Sequence, residues 1–131
     1  MIVADVKIEV RKTEPSASPK RDALQVLPGS GTVRVTVTTE DGVVGEGSAG
    51  FGRIAGGPDA LAAQIEHELK PLVVGSDVGR VRATHQAMLR ETEYHGAFGL
   101  AMFGIAAMDT ALWDALGRTV GVAVLANVGS L

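Results

Sequence analysis

Gly45, Gly47 and Gly50 stand in the spacing GxGxxG. In a dinucleotide-binding turn that spacing gives a tight bend, close backbone approach to a pyrophosphate and a helix N-terminus facing it. The surroundings do not suit that chemistry. The residues before Gly45 read as the second arm of a hairpin, and the next helix signal begins only at Pro58. No βαβ unit leads on to an acidic ribose-binding residue. Gly45 and Gly47 are therefore assigned to a strand, where a missing Cβ permits a bulge or close packing, and Phe51 to Gly57 to a flexible turn. Among the histidines, His67-Glu68 lacks the second histidine four residues on that zinc-protease chemistry needs. His67 reads as solvated, His85 falls on an apolar helical stripe, and His95 sits at a helix end before Gly96, a capping or interface position. None has a carboxylate or hydroxyl partner at a catalytic spacing. Glu91 and Glu93, and likewise Asp109 and Asp114, point to different sides of their helices, so no metal site and no catalytic residue is assigned. Trp113, the only tryptophan, reads as a core anchor.

The elements that must position these residues come from a chain of 131 residues, the length of one ordinary domain. Its composition, 46% apolar and 21% charged with net charge −3, is that of a soluble globular protein. Lys and Arg occur in ones and twos, leaving no stripe to neutralise phosphates, so no nucleic-acid partner is expected. The absence of cysteine removes disulfide and thiolate chemistry and fits a reducing compartment, with cytoplasm the default. The start MIVADVKIEV has no basic region before its apolar residues and does not read as a signal peptide. The apolar run Ala97 to Met108 meets Asp109 well before the roughly 20 residues of a bilayer span and reads as a buried helix, so no membrane is expected.

Period-two alternation of Ile2, Ala4, Val6, Ile8 and Val10 predicts a strand over about 2–11. Residues Lys12 to Gly31, with Pro15, Pro19 and Pro28, form a structureless connection, the first place to look for a site. TVRVTVTT predicts a strand over 32–39, and Asp41-Gly42, both able to take positive φ, predicts a hairpin into a strand over 43–49. Leu61, Ile65, Leu69 and Leu72 predict a helix over about 58–70 that breaks at Pro71. Asp77 can cap a helix over 77–95 with Val78, Val81, His85, Met88 and Thr92 on one face. A last helix spans 98–118, on which Asp114 and Arg118 can pair for a few tenths of a kcal/mol. The order βββααα, strands and helices segregated, predicts an α+β fold: a three-stranded antiparallel meander followed by three main helices in a single domain over 1–131.

Two segments carry a resemblance. VRVTVTTEDGVVGEGSA resembles the second and third strands of the N-terminal capping domain of the enolase superfamily, in its mandelate racemase and muconate-lactonizing branch. AMDTALWDALGRTVGVAVLANVGS resembles that branch's helix signature, with Asp109, Ala111, Leu112, Trp113, Asp114, Gly117, Arg118, Gly121, Val124 and Gly129 at its positions. The chain departs from the pattern at Ser48, where Glu is usual, at Ala123, where Pro is usual, and at Asn127-Val128-Gly129-Ser130, where Leu-Leu-Gly-Gly is usual.

The resemblance implies an enzyme part rather than an enzyme. Such proteins carry three carboxylate ligands for Mg2+ and their acid/base residues on a C-terminal β/α barrel, which would begin where this sequence stops, at Leu131. The chemistry is proton abstraction next to a carboxylate, as in racemases, dehydratases and cycloisomerases. Loops of the capping domain close over the barrel and touch the distal part of a small carboxylate substrate. The stretches 12–31 and 51–57 fall at those lid positions, which makes Ser18, Lys20, Arg21, Phe51 and Arg53 the substrate-binding candidates. A homo-oligomer is also expected. The competing reading is a stand-alone interaction or oligomerisation module with this fold and no catalysis, since a helix as apolar as Phe98 to Met108 would expose hydrophobic surface without its barrel.

Overall fold

The computed structural model describes residues 1–14, 17–27, 29–96 and 98–121. The expectations that fall on Pro15, Pro28, Ala97 and 122–131, including Ala123, Val124, Gly129 and the 127–130 ending, lie outside the described residues. Strands β1 (Val3–Lys12), β4 (Gly31–Thr39) and β5 (Val44–Gly50) form an antiparallel sheet in the order β1-β4-β5, and β2 (Lys20–Arg21) pairs with β3 (Val26–Leu27) in a separate ribbon. The α+β meander read from the sequence is the observed architecture. The connection expected to be structureless carries that ribbon.

β4 buries Val33, Val35, Val37 and Thr39, one residue in two, as its alternation requires. β1 does not keep one phase. Its register against β4 slips between Val3 and Asp5, so Val3 and Val6 are buried while Ala4 is exposed. The bulge arises because the start of the strand is also held on its other side, where Val3 N donates to Ser76 O at 2.9 Å and Gly75 N to Val3 O at 2.9 Å. The β4–β5 turn differs from the expected pair of positive-φ residues. Only Gly42 has positive φ (84°), and its N–H donates to Thr39 O at 2.9 Å, while Val43 N donates to the Thr39 hydroxyl at 3.0 Å. A longer turn closed by a glycine needs no left-handed aspartate.

The first helix runs past its expected break. α1 (Gly57–Gln64) passes into a π turn (Ile65–Leu69) and then α2 (Lys70–Val73), with Pro71 in the first turn of the last piece. Lys70 N donates to Ile65 O, the wider π spacing, which accommodates the ring and missing N–H of Pro71 without ending the helix. The buried stripe is accordingly Leu61, Ile65, Leu69 and Val73, with Leu72 only half-buried. Asp77 accepts from Gly79 N at 2.9 Å and opens a 3-10 turn (Val78–Arg80) leading to α3 (Val81–Thr92), and a second 3-10 turn (Glu93–His95) follows. α4 (Leu100–Val120) starts two residues later than expected and ends at Gly121, whose left-handed backbone stops the helix.

α4 lies across the sheet, with Ile105, Met108 and Leu112 buried in the core beside Val35, Val37, Leu61, Ile65 and Met88. Its length and mean hydropathy of 1.2 would suit a bilayer, but half of that window is buried inside the protein. Ala107, Ala111 and Ala115, spaced one turn apart and all buried, meet Gly45 and Gly47 of β5. A Cβ on Gly45 or Gly47 would come closer than 3.0 Å to the helix backbone at Ala111 and Ala115, or at Ala107 and Ala111. The first two glycines of GxGxxG therefore serve helix-on-strand packing, and the helix fills the space a phosphate would need. β5's free edge is also occupied: Asp114 accepts from Glu46 N at 2.9 Å and from Arg118 Nε at 3.0 Å. The predicted ion pair thus covers a backbone donor that would otherwise invite another strand.

Candidate functional site

The two connections expected to act as lids meet at their roots. Ser30, just before β4, is 7% exposed and donates its hydroxyl to Phe51 O at 2.9 Å, with Gly52 O also in contact. Phe51 N donates to Gly31 O at 3.1 Å, and Thr13 N to Ser30 O at 3.4 Å. The crossing requires small residues. Gly52 has φ of 99°, and a Cβ there would sit 2.6 Å from Ser30 Oγ. Beyond this root the short loop turns back through a Gly57 N to Ile54 O bond of 2.9 Å, leaving Ile54 78% exposed.

The long loop is shaped by Asp22, whose Oδ1 accepts from Leu24 N at 2.8 Å and Gln25 N at 2.9 Å between the arms of the ribbon. Those backbone donors hold the Asp22 carboxyl below its usual range, and the positive charge of Arg53 on the short loop adds to the effect. Arg21, Arg53 and Ser18 are all exposed, while Lys20 is placed by its backbone pairing with Leu27. Phe51 points the other way: it is half-buried against the core, its ring edge-on to Phe103 at 5.0 Å and 66°. Asp22 and Ser30 were missed by sequence reasoning. An Asp three residues before Gln25 is a weak turn signal, and nothing local marks Ser30.

No histidine has a partner at a catalytic spacing in the sequence, but folding brings two of them to carboxylates. His95 Nε2 lies 2.7 Å from Glu68 Oε2, and His85 Nδ1 lies 3.3 Å from Asp109 Oδ1, off the angle of a hydrogen bond. Each pair joins two helical segments distant in sequence, which is why no spacing showed it. Glu68 and His95 edge a cleft of about 510 Å³ with Gln64, His67 and Phe98. His85 and Asp109 line a smaller one of about 270 Å³ with Arg82, Gln86 and Trp113, where the Arg82 guanidinium stands 5.9 Å above the indole. Trp113 is thus a half-buried rim residue, not a fully buried anchor. Among the described residues no three His, Asp or Glu side chains are grouped to hold a metal ion.

Asp109 gives a pH test. Desolvation raises its pKa, partly offset by His85 and a hydrogen bond from Trp113. A carboxyl whose folded pKa is raised favours folding when protonated, so its contribution falls as pH climbs from the ordinary value of 3.8 through the folded pKa. Asp109→Asn is therefore expected to keep or raise stability at pH 7 and to flatten the decline above pH 3.8, measured by urea unfolding at several pH values. A steeper decline in the variant would contradict the assignment.

The sequence profile of the mandelate racemase/muconate lactonizing enzyme N-terminal domain matches residues 5–129. A D-galactonate dehydratase family member from Pseudarthrobacter chlorophenolicus is 34% identical over 108 residues, which are 82% of this chain and 25% of that protein. Among solved structures, a mandelate racemase/muconate lactonizing enzyme-like protein from Rubrobacter xylanophilus superposes with a TM-score of 0.84 at 20% identity, over 97% of this chain and 33% of its own. An enolase from Bradyrhizobium complexed with magnesium and mandelic acid gives 0.77 at 27% identity, over 98% and 34%. The chain thus spans about a quarter of the length of the curated relatives it matches. With profile, sheet order and helix packing in agreement, the chain belongs to the mandelate racemase/muconate lactonizing enzyme family of the enolase superfamily, whose N-terminal domain it forms.

Proposed function

We propose that this chain is the lid and specificity domain of a Mg2+-dependent racemase, dehydratase or cycloisomerase that removes a proton next to a substrate carboxylate. The observation that carries the reading is the bonding of the two loops at their roots, Ser30 to Phe51 and Phe51 to Gly31, in a domain belonging to this family, with Arg21 and Arg53 exposed on those loops. Guanidinium groups are suited to an anionic or hydroxylated group on a small substrate. Ser18 and Lys20 lie on the same loop, and Phe51 anchors the shorter one. Mg2+ and the acid/base groups would come from a C-terminal barrel, so the domain is not catalytic by itself. We place the enzyme in the cytoplasm.

The reading is tested by assaying the product that joins this domain to a barrel, with Mg2+, against acid sugars and hydroxy acids in D2O. α-Proton exchange with at least one acid is expected, together with a rise in KM in the Arg53→Ala variant. Absence of exchange with every acid would remove the reading. A second reading, self-association without catalysis, draws on exposed apolar residues: Tyr94 at 99%, Phe98 at 87% and Phe103 at 44%. Sedimentation of the chain decides it, since a monomer at high concentration would exclude that use of the face.

A further inference from the structure

We infer that Ser30 is a positioning residue that ties the roots of the two loops into one mechanical unit, so that the long-loop root at Thr13 and Ser30-Gly31 and the short loop 51–57 shift together. Its functional meaning rests on the lid reading above, but the coupling belongs to this chain alone.

Four stretches of chain cross at this serine. Thr13 enters the long loop, Ser30-Gly31 leaves it, Phe51-Gly52 enters the short loop, and Gly57-Pro58 leaves that one for α1. The contacts are mutual. Ser30 O receives Thr13 N–H, Ser30 Oγ donates across to Phe51 O, and Gly31 O receives Phe51 N–H. The glycines of the crossing are closely packed. A Cβ on Gly31 would meet Pro58 Cγ at 2.9 Å, one on Gly57 would meet Gly52 Cα at 2.8 Å, and one on Gly52 would meet Ser30 Oγ at 2.6 Å. The hydroxyl has one proton and two carbonyl oxygens within reach, so it is held by the short loop whichever oxygen it serves at a given moment. Displacing either loop root must break the bonds of the other. On the inner side, the contact of Phe51 with Phe103 refers the whole junction to the rigid α4.

The test uses amide hydrogen exchange by NMR on the chain itself, with each loop perturbed and the other read. Ser30→Ala removes the donor from the long-loop side and is expected to speed exchange about tenfold at Gly57, in the short loop, the scale of one lost hydrogen bond. Gly52→Ala crowds the hydroxyl from the short-loop side and is expected to speed exchange comparably at Thr13, at the root of the long loop. Ser30→Thr keeps the donor and should restore protection in both loops, which a residue that merely filled space would not require. If each variant changed only the loop that carries it, the coupling would be overturned, and so it would be if Ser30→Ala left Gly57 unchanged. No barrel takes part in this measurement, so a failed coupling is distinct from a failed α-proton exchange assay.

Discussion

Gly47→Val is expected to destabilise the domain by about 3 kcal/mol or more, at or beyond the upper end of what overpacking a core costs. A side chain at this position points straight at α4, where its first carbon would already be closer than 3.0 Å to the backbone of Ala107 and Ala111 and 3.1 Å from Thr110 Cβ. Backbone does not move aside as a side chain does. To admit a valine, α4 must lift from β5, which would unseat Ile105, Met108 and Leu112 from the core on the same helix. It would also draw Asp114 away from Glu46 N and leave that edge donor unmet. The comparison is Gly50→Ala, where a Cβ meets nothing within 4 Å and φ is not positive. There the change is expected to be neutral or slightly stabilising, because alanine restricts the unfolded chain. Urea unfolding reads both. A Gly47→Val midpoint equal to that of the parent would mean that α4 does not rest on this strand.

These glycines show what a sequence discloses and what it withholds. The hairpin context of Gly45 and Gly47 is local, and it suffices to reject a nucleotide turn and to suggest close packing. The partner in that packing lies 60 or more residues away by the numbering, at Ala107, Ala111 and Ala115, and their small size has meaning only once the two segments meet. The alternation of β4 was legible for the same local reason, since every second residue faces one side whatever covers it. In β1 that logic failed at Val3, where Ser76 and Gly75 hold the strand's outer edge and impose a bulge. Pro71 read as a stop because proline lacks an N–H, but a π turn provides the other remedy, carrying the helix on so that Leu69 and Val73 are both buried. The candidate site divides similarly. Ser18, Lys20, Arg21, Phe51 and Arg53 were found by their place on two loops, a property of sequence. Ser30, Asp22, and the pairings of His85 with Asp109 and His95 with Glu68 are products of folding.

Ile105→Ala is expected to cost about 2–5 kcal/mol, as large-to-small changes at fully buried positions do. Ile105 is 0% exposed on α4 and shares the core with Leu61, Ile65 and Met88. Cutting it to alanine removes apolar contacts on several elements at once, and the surrounding side chains can close the cavity only in part. Phe103, two residues earlier, is the larger side chain and the more hydrophobic-looking target, yet it is 44% exposed and its principal aromatic contact is the edge of Phe51. Phe103→Ala should therefore cost less in global stability, despite the greater loss of volume. Its effect belongs at the loops, where loss of the Phe51 contact should raise amide exchange around 51–57 while the β4 amides keep their protection. The sequence alone would give both residues to one apolar run, and unfolding midpoints in which Phe103→Ala proved the more damaging would place the buried face of α4 on the wrong side. In the expected order, with Ile105 holding the fold and Phe103 holding the short loop, a single helix serves both as the spine of the domain and as the support of that loop.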